Sequence, residues 1–67
     1  MKEEYKVGER LLVKDGLFGC IFHAQILFFG KDWLGEYFIG KYRVNDNTMG
    51  HYETAKKFRR RHILSKA

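Results

Sequence analysis

The sequence has no proline, a single cysteine and a single tryptophan among its 67 residues. Without proline, the seven glycines must supply the turns. Cys20 alone cannot form an internal disulfide, and with three scattered histidines it does not assemble a tetrahedral zinc site. No apolar run approaches the roughly 20 residues that a membrane-spanning helix needs, so no membrane partner is expected. The opening Met-Lys-Glu-Glu lacks the character of a secretory signal. These features point to an intracellular, reduced protein. Cys20 lies near Phe18 and Ile21 and is expected to be buried and unreactive.

Catalytic groupings are also missing. Asp15, Asp32 and Asp46 fall in turn-like stretches without an acid–base partner, and His23, His51 and His62 have neither triad nor metal spacing. The chain is therefore read as a non-enzyme with no cofactor and no metal. Residues 1–67 make one domain. A chain this short buries only about 60% of its unfolded surface, so its six Phe, four Tyr and one Trp are more rings than a small core requires. Rings left over are candidates for contacts.

The net charge is +5 and is placed unevenly. Residues 1–34 hold five basic and five acidic side chains, whereas residues 35–67 hold eight basic and three acidic. After Glu53 there is no acid, and Lys56, Lys57, Arg59, Arg60, Arg61 and Lys66 come after it. A basic end of this kind suits a polyanion or an acidic partner surface.

The hydropathy pattern alternates with a period of two. Arg10 to Lys14 reads as a short strand, with Leu11 and Val13 on one face and Leu12 opposite. Asp15-Gly16 opens a loop over residues 15–20 that carries Leu17 and Phe18. Ile21 to Phe29 is the strongest strand, with Phe22, Ala24, Ile26 and Phe28 alternating on the expected core side. Gly30 to Gly35 is a hairpin-like connection and Glu36 to Tyr42 the next strand. Its facing is open: Tyr37 with Ile39, or Phe38 with Tyr42, could point inward. Asn45-Asp46-Asn47 is expected to turn, and Gly50 to mark another bend. His51 to Thr54 is a short fourth strand. Ala55 to Arg61 has helical character with Thr54 as N-cap, giving a one-turn helix, and His62-Ile63-Leu64 closes the sheet as a fifth strand. The fold class is thus all-β, a small five-stranded SH3-like barrel with a short C-terminal helical turn.

Four phrases carry a resemblance. These are Gly8-Glu9-Arg10-Leu11-Leu12, Phe22-His23-Ala24-Gln25-Ile26-Leu27, Tyr37-Phe38-Ile39-Gly40-Lys41-Tyr42 and Arg61-His62-Ile63-Leu64. Together they resemble the chromo-barrel (Tudor-knot) domains of the MRG/MSL and MYST acetyltransferase proteins, which are nuclear SH3-like barrels of chromatin-modifying complexes. The resemblance implies a nuclear protein, a histone tail as partner, and subunits of such a complex as neighbours. It also implies a methyl-lysine cage, for which Phe22 and Tyr42 match best and Tyr52 stands near the place of the last ring. Core packing competes for Phe22, strand-end packing for Tyr42 and plain surface for Tyr52. The chain departs from the family where tryptophans would follow the third strand: Arg43 to Tyr52 contains none. A cage without them is expected to bind weakly, if at all.

Two further surfaces stand out. Lys56, Lys57, Arg59, Arg60 and Arg61, with Phe58 interleaved, form a candidate nucleic-acid contact, RNA or DNA, in which the cations neutralise phosphates and the ring stacks on a base. The competing reading is a solvated charged face with Phe58 turned inward. Phe18 and Trp33, among apolar loop residues, form a candidate patch for docking a partner subunit, against the alternative that they plug the barrel ends.

Overall fold

The computed structural model describes residues 3–15, 19–46, 48 and 50–67. It contains β1 (Arg10–Asp15), β2 (Cys20–Asp32), β3 (Gly35–Asp46), β4 (Gly50–Phe58), a single 3-10 turn (Arg60–His62) and β5 (Ile63–Lys66). The strands form one antiparallel sheet in the order β4-β3-β2-β1-β5. This is the small all-β, SH3-like arrangement that the alternating pattern predicts, with the last strand returning to the first.

The lead-in explains the Gly-Glu phrase before β1. Gly8 takes a φ of +92°, a region open to glycine at little cost. Its N–H then reaches the Ile26 carbonyl at 2.7 Å, and the Ile26 N–H donates to the Glu9 carbonyl at 2.9 Å. The chain before β1 is thereby stitched to the middle of β2. In β1, Leu11 and Val13 are fully buried while Leu12 faces the other way.

β2 pairs with β1 without interruption from Arg10↔Gln25 to Asp15↔Cys20. Its pairing with β3 slips: Ile26 faces Gly40, but Phe28 faces Ile39, so Leu27 is an extra residue. A bulge of this kind reverses the facing of the residues beyond it. Ala24 and Ile26 are buried as expected. Phe28 is instead 52% exposed, and Phe29 packs on the core in its place.

The two possible facings of β3 are resolved. Phe38 and Gly40 are buried and Tyr42 packs on the core, leaving Tyr37 and Ile39 on the outer face. Gly40 is required by close approach: a Cβ there would lie 3.0 Å from Ala24 Cβ and 3.0 Å from the Phe38 ring. The hairpin to β3 is tighter than residues 30–35 suggest. β2 runs to Asp32, Asp32 pairs with Gly35, and only Trp33 and Leu34 form the loop. The Leu34 N–H donates to Asp32 Oδ1 at 3.0 Å, closing the turn.

Other expectations are corrected. Asn45 and Asp46 do not turn but extend β3, paired with His51 and Gly50; Asn47 lies outside the described residues. Ala55 to Phe58 is not helical: it extends β4, with Lys41↔Ala55 and Phe38↔Phe58 in register. Thr54 faces Tyr42 across the sheet and caps nothing. Pairing with a long β3 satisfies these backbone groups and buries Phe58, which a helix of this length could not match. The helical turn is confined to Arg60–His62, where the Arg59 N–H donates to His62 Nδ1 at 2.9 Å. Cys20 is exposed, because it opens β2 at the end of the sheet.

The core is Leu11, Val13, Ala24, Ile26, Phe38 and Phe58, with Tyr5, Phe22, Phe29, Tyr42 and Ile63 packed around it.

Candidate nucleic-acid interface

Strand geometry divides the basic run of residues 56–61. Phe58 is fully buried, its ring centroid 5.4 Å from Phe38 and 5.8 Å from Tyr42. It belongs to the core, not to the surface its basic neighbours occupy, and so it cannot stack on a base. Alternation then sends Lys57 and Arg59 to the outer face, where both meet Asp32. Lys57 Nζ lies 3.0 Å from Asp32 Oδ2, and Arg59 Nη2 lies 2.6 Å from the same oxygen. Lys57 also stands 4.4 Å above the Tyr37 ring, a cation–π contact. Lys56 pairs with Asp15, joining β4 to the end of β1. Arg60 grips Glu4 with two bonds, of 2.8 and 2.6 Å, the bidentate geometry that guanidinium favours.

The ionisation equilibria reflect these contacts. The hydrogen bond from Arg59, reinforced by Lys57 and the Leu34 N–H, holds the Asp32 carboxyl far below the usual carboxylate range, against a smaller opposing effect of burial. The same bond raises Arg59. Glu4 is lowered by its hydrogen bond from Arg60. Four of the five cations in the run are therefore engaged with carboxylates of the chain; Arg61 is exposed and carries no ion pair among the described residues.

Of the three cage candidates, two are brought together. The Phe22 and Tyr42 rings are half-buried, 4.5 Å apart and tilted by 38°. Tyr52, on β4, faces Val44 of β3, is 41% exposed and makes no ring contact among the described residues. Trp33 is 91% exposed and Leu34 61% exposed at the hairpin tip. They plug nothing. Phe18 lies outside the described residues.

The sequence reading missed a cleft of about 310 Å³ lined by Arg10, His23, Gln25, Lys41, Arg43 and Glu53, with Tyr42 at its edge. Four of these occupy positions out of phase with a buried residue: Arg10 beside Leu11, His23 and Gln25 beside Ala24, Lys41 beside Gly40. That phase was legible along β1 and β2, whereas the facing of β3 was open. What unites the residues is register, which places Arg10, Gln25 and Lys41 in one row across three strands. Glu53 pairs with Lys41 at 3.3 Å, with both side chains about half exposed. Among the described residues, Arg10 and Arg43 have no ion pair, and neither does Lys14 farther along β1.

A scan against protein-family models, and searches of curated proteins and of solved structures, find no match to this chain.

Proposed function

We propose that this protein is a non-enzymatic recognition module that binds nucleic acid through its basic surface, within a chromatin-associated assembly of the nucleus. One observation carries the reading: Arg10, Lys14, Arg43 and Arg61 are cations without an internal carboxylate partner among the described residues. Arg10, Lys14 and Arg43 lie out of phase with the core, on the outer side of β1 and β3. The excess charge of +5 thus has a surface on which to act. The chromo-barrel resemblance supports the nuclear setting. The Phe22–Tyr42 pair supports at most a weak methyl-lysine contact, since a cation held by two rings gains little over the costs of association.

Fluorescence anisotropy of short single-stranded RNA, single-stranded DNA and duplex DNA tests this. Four phosphate contacts to a single strand give a log–log salt slope of about −3, or about 50-fold weaker binding at 200 mM than at 50 mM salt. No binding at the lower salt, or an affinity indifferent to salt, refutes the proposal.

A second reading has its own observation, the exposed Trp33–Leu34 tip. There the barrel docks a partner subunit by its hairpin. Trp33 is the one tryptophan of the chain, so its emission separates the readings. A partner closing over the tip shifts it to the blue, whereas nucleic acid on the basic face leaves it unchanged.

A further inference from the structure

We infer that the cleft on the outer face of β1, β2 and β3 is the seat of the nucleic-acid backbone, with Arg10 and Arg43 as the phosphate-gripping residues, and that the ion-paired Lys56, Lys57, Arg59 and Arg60 hold the fold together instead of the ligand. The inference rests on the nucleic-acid reading above and gives it a location.

The cleft arginines are available to a ligand and the paired cations of the run are not. An oxyanion reaching Arg59 must displace a carboxylate at 2.6 Å, and one reaching Arg60 must displace a two-bonded Glu4. Arg10 and Arg43 have no such bond to surrender among the described residues. The planar forks of both are suited to a phosphate, which accepts two parallel hydrogen bonds from one guanidinium.

The spacing of the cleft residues also suits a phosphate chain. Arg10, Gln25 and Lys41 lie in one cross-strand row, and His23 and Arg43 lie one pleat farther along their strands. With strands about 4.8 Å apart and about 6.7 Å per pleat, Arg10, Lys41 and Arg43 stand at three corners of a patch about 10 by 7 Å, with Leu12 at the fourth. That is wide enough for two neighbouring phosphates of one chain and too wide for a single phosphate to touch every corner. The Gln25 amide, donating to the Gly8 carbonyl at 3.3 Å, is held by the lead-in and helps to fix the floor.

The lining has the same character. Every side chain that lines the cleft is polar or ionisable, and Glu53 is its one carboxylate. The Glu53–Lys41 pair is exposed on both sides and therefore weak. It is a contact that a polyanion can replace.

The experiment is a titration of a fluorescein-labelled single-stranded oligonucleotide at about 100 mM salt with four proteins: wild type, Arg10→Gln/Arg43→Gln, Arg60→Gln/Arg61→Gln and Glu53→Gln. Circular dichroism checks that each is folded. Losing two phosphate contacts should weaken binding about 25-fold and flatten the salt slope by about 1.4. The Arg60/Arg61 pair of substitutions removes a single unpaired cation and should weaken binding by only about fivefold, and Glu53→Gln should tighten it. Inorganic phosphate added at constant ionic strength should displace the oligonucleotide poorly. If the cleft variant binds like wild type while the Arg60/Arg61 variant fails, the inference is wrong and the nucleic-acid reading stands. If wild type itself does not bind, both fall. Ready displacement by inorganic phosphate would overturn the inference and reassign the cleft to a small phosphate ligand.

Discussion

Replacing Phe58 tests the division of the basic run into core and surface. Its ring is fully buried and is flanked by Phe38, Tyr42 and His62 at centroid distances of 5.4, 5.8 and 6.0 Å. Cutting a buried Phe to Ala costs about 3–5 kcal/mol, from lost transfer energy and the cavity left behind. At about 0.05–0.15 kcal/mol per residue, the whole domain has a stability of only about 3–10 kcal/mol. Phe58→Ala should therefore leave the chain at or beyond the edge of unfolding. Phe58→Leu keeps most of the volume and should cost about 1 kcal/mol. With a urea m-value of about 1 kcal/mol/M for a protein this small, its midpoint should fall by about 1 M. Far-UV circular dichroism against urea reads both variants. Folded Phe58→Leu should bind oligonucleotide like wild type. A ring that stacked on a base would instead cost about 1–3 kcal/mol of binding when removed. An unchanged urea midpoint together with lost nucleic-acid affinity would refute the core assignment.

Two other variants probe the sheet and its charge. Gly40→Ala places a methyl 3.0 Å from Ala24 Cβ and the Phe38 ring and 3.2 Å from the Phe58 ring. All three neighbours are fully buried and cannot retreat, so a loss of about 1–3 kcal/mol is expected in urea melts; equal or greater stability would show that the core around Gly40 is looser than described. Asp32→Asn removes the shared carboxylate of Lys57 and Arg59. Because folding lowers the pKa of Asp32, its contribution is fully present above the unfolded carboxylate range and fades as pH falls below about 4. Wild type should thus lose stability on acidification more steeply than the Asn variant, and parallel pH profiles for the two would contradict the pairing.

Much of the strand pattern could be read in the sequence. Leu11 and Val13, then Ala24 and Ile26, alternate as a half-buried sheet requires, and these four are core residues. The bulge at Leu27 could not be read, because nothing in Ile-Leu-Phe-Phe marks which residue is left unpaired. It cost Phe28 its inward place. Ala55 to Phe58 misled for a different reason: Ala and Lys are good helix formers, and only pairing with β3 overrides that local preference. The cleft was hidden because it depends on the relative register of three strands. Each of Arg10, Gln25 and Lys41 looks like an ordinary solvated position until the strands are aligned.

The sheet ends in β4 on one side and β5 on the other. Open strand edges are templates on which further copies can add, the first step toward fibrils. This chain guards both with charge: Lys56 and Lys57 on β4, Lys66 on β5. The basic residues near the C-terminus thus have a task that needs no ligand, which is to keep concentrated solutions of the barrel from growing edge to edge.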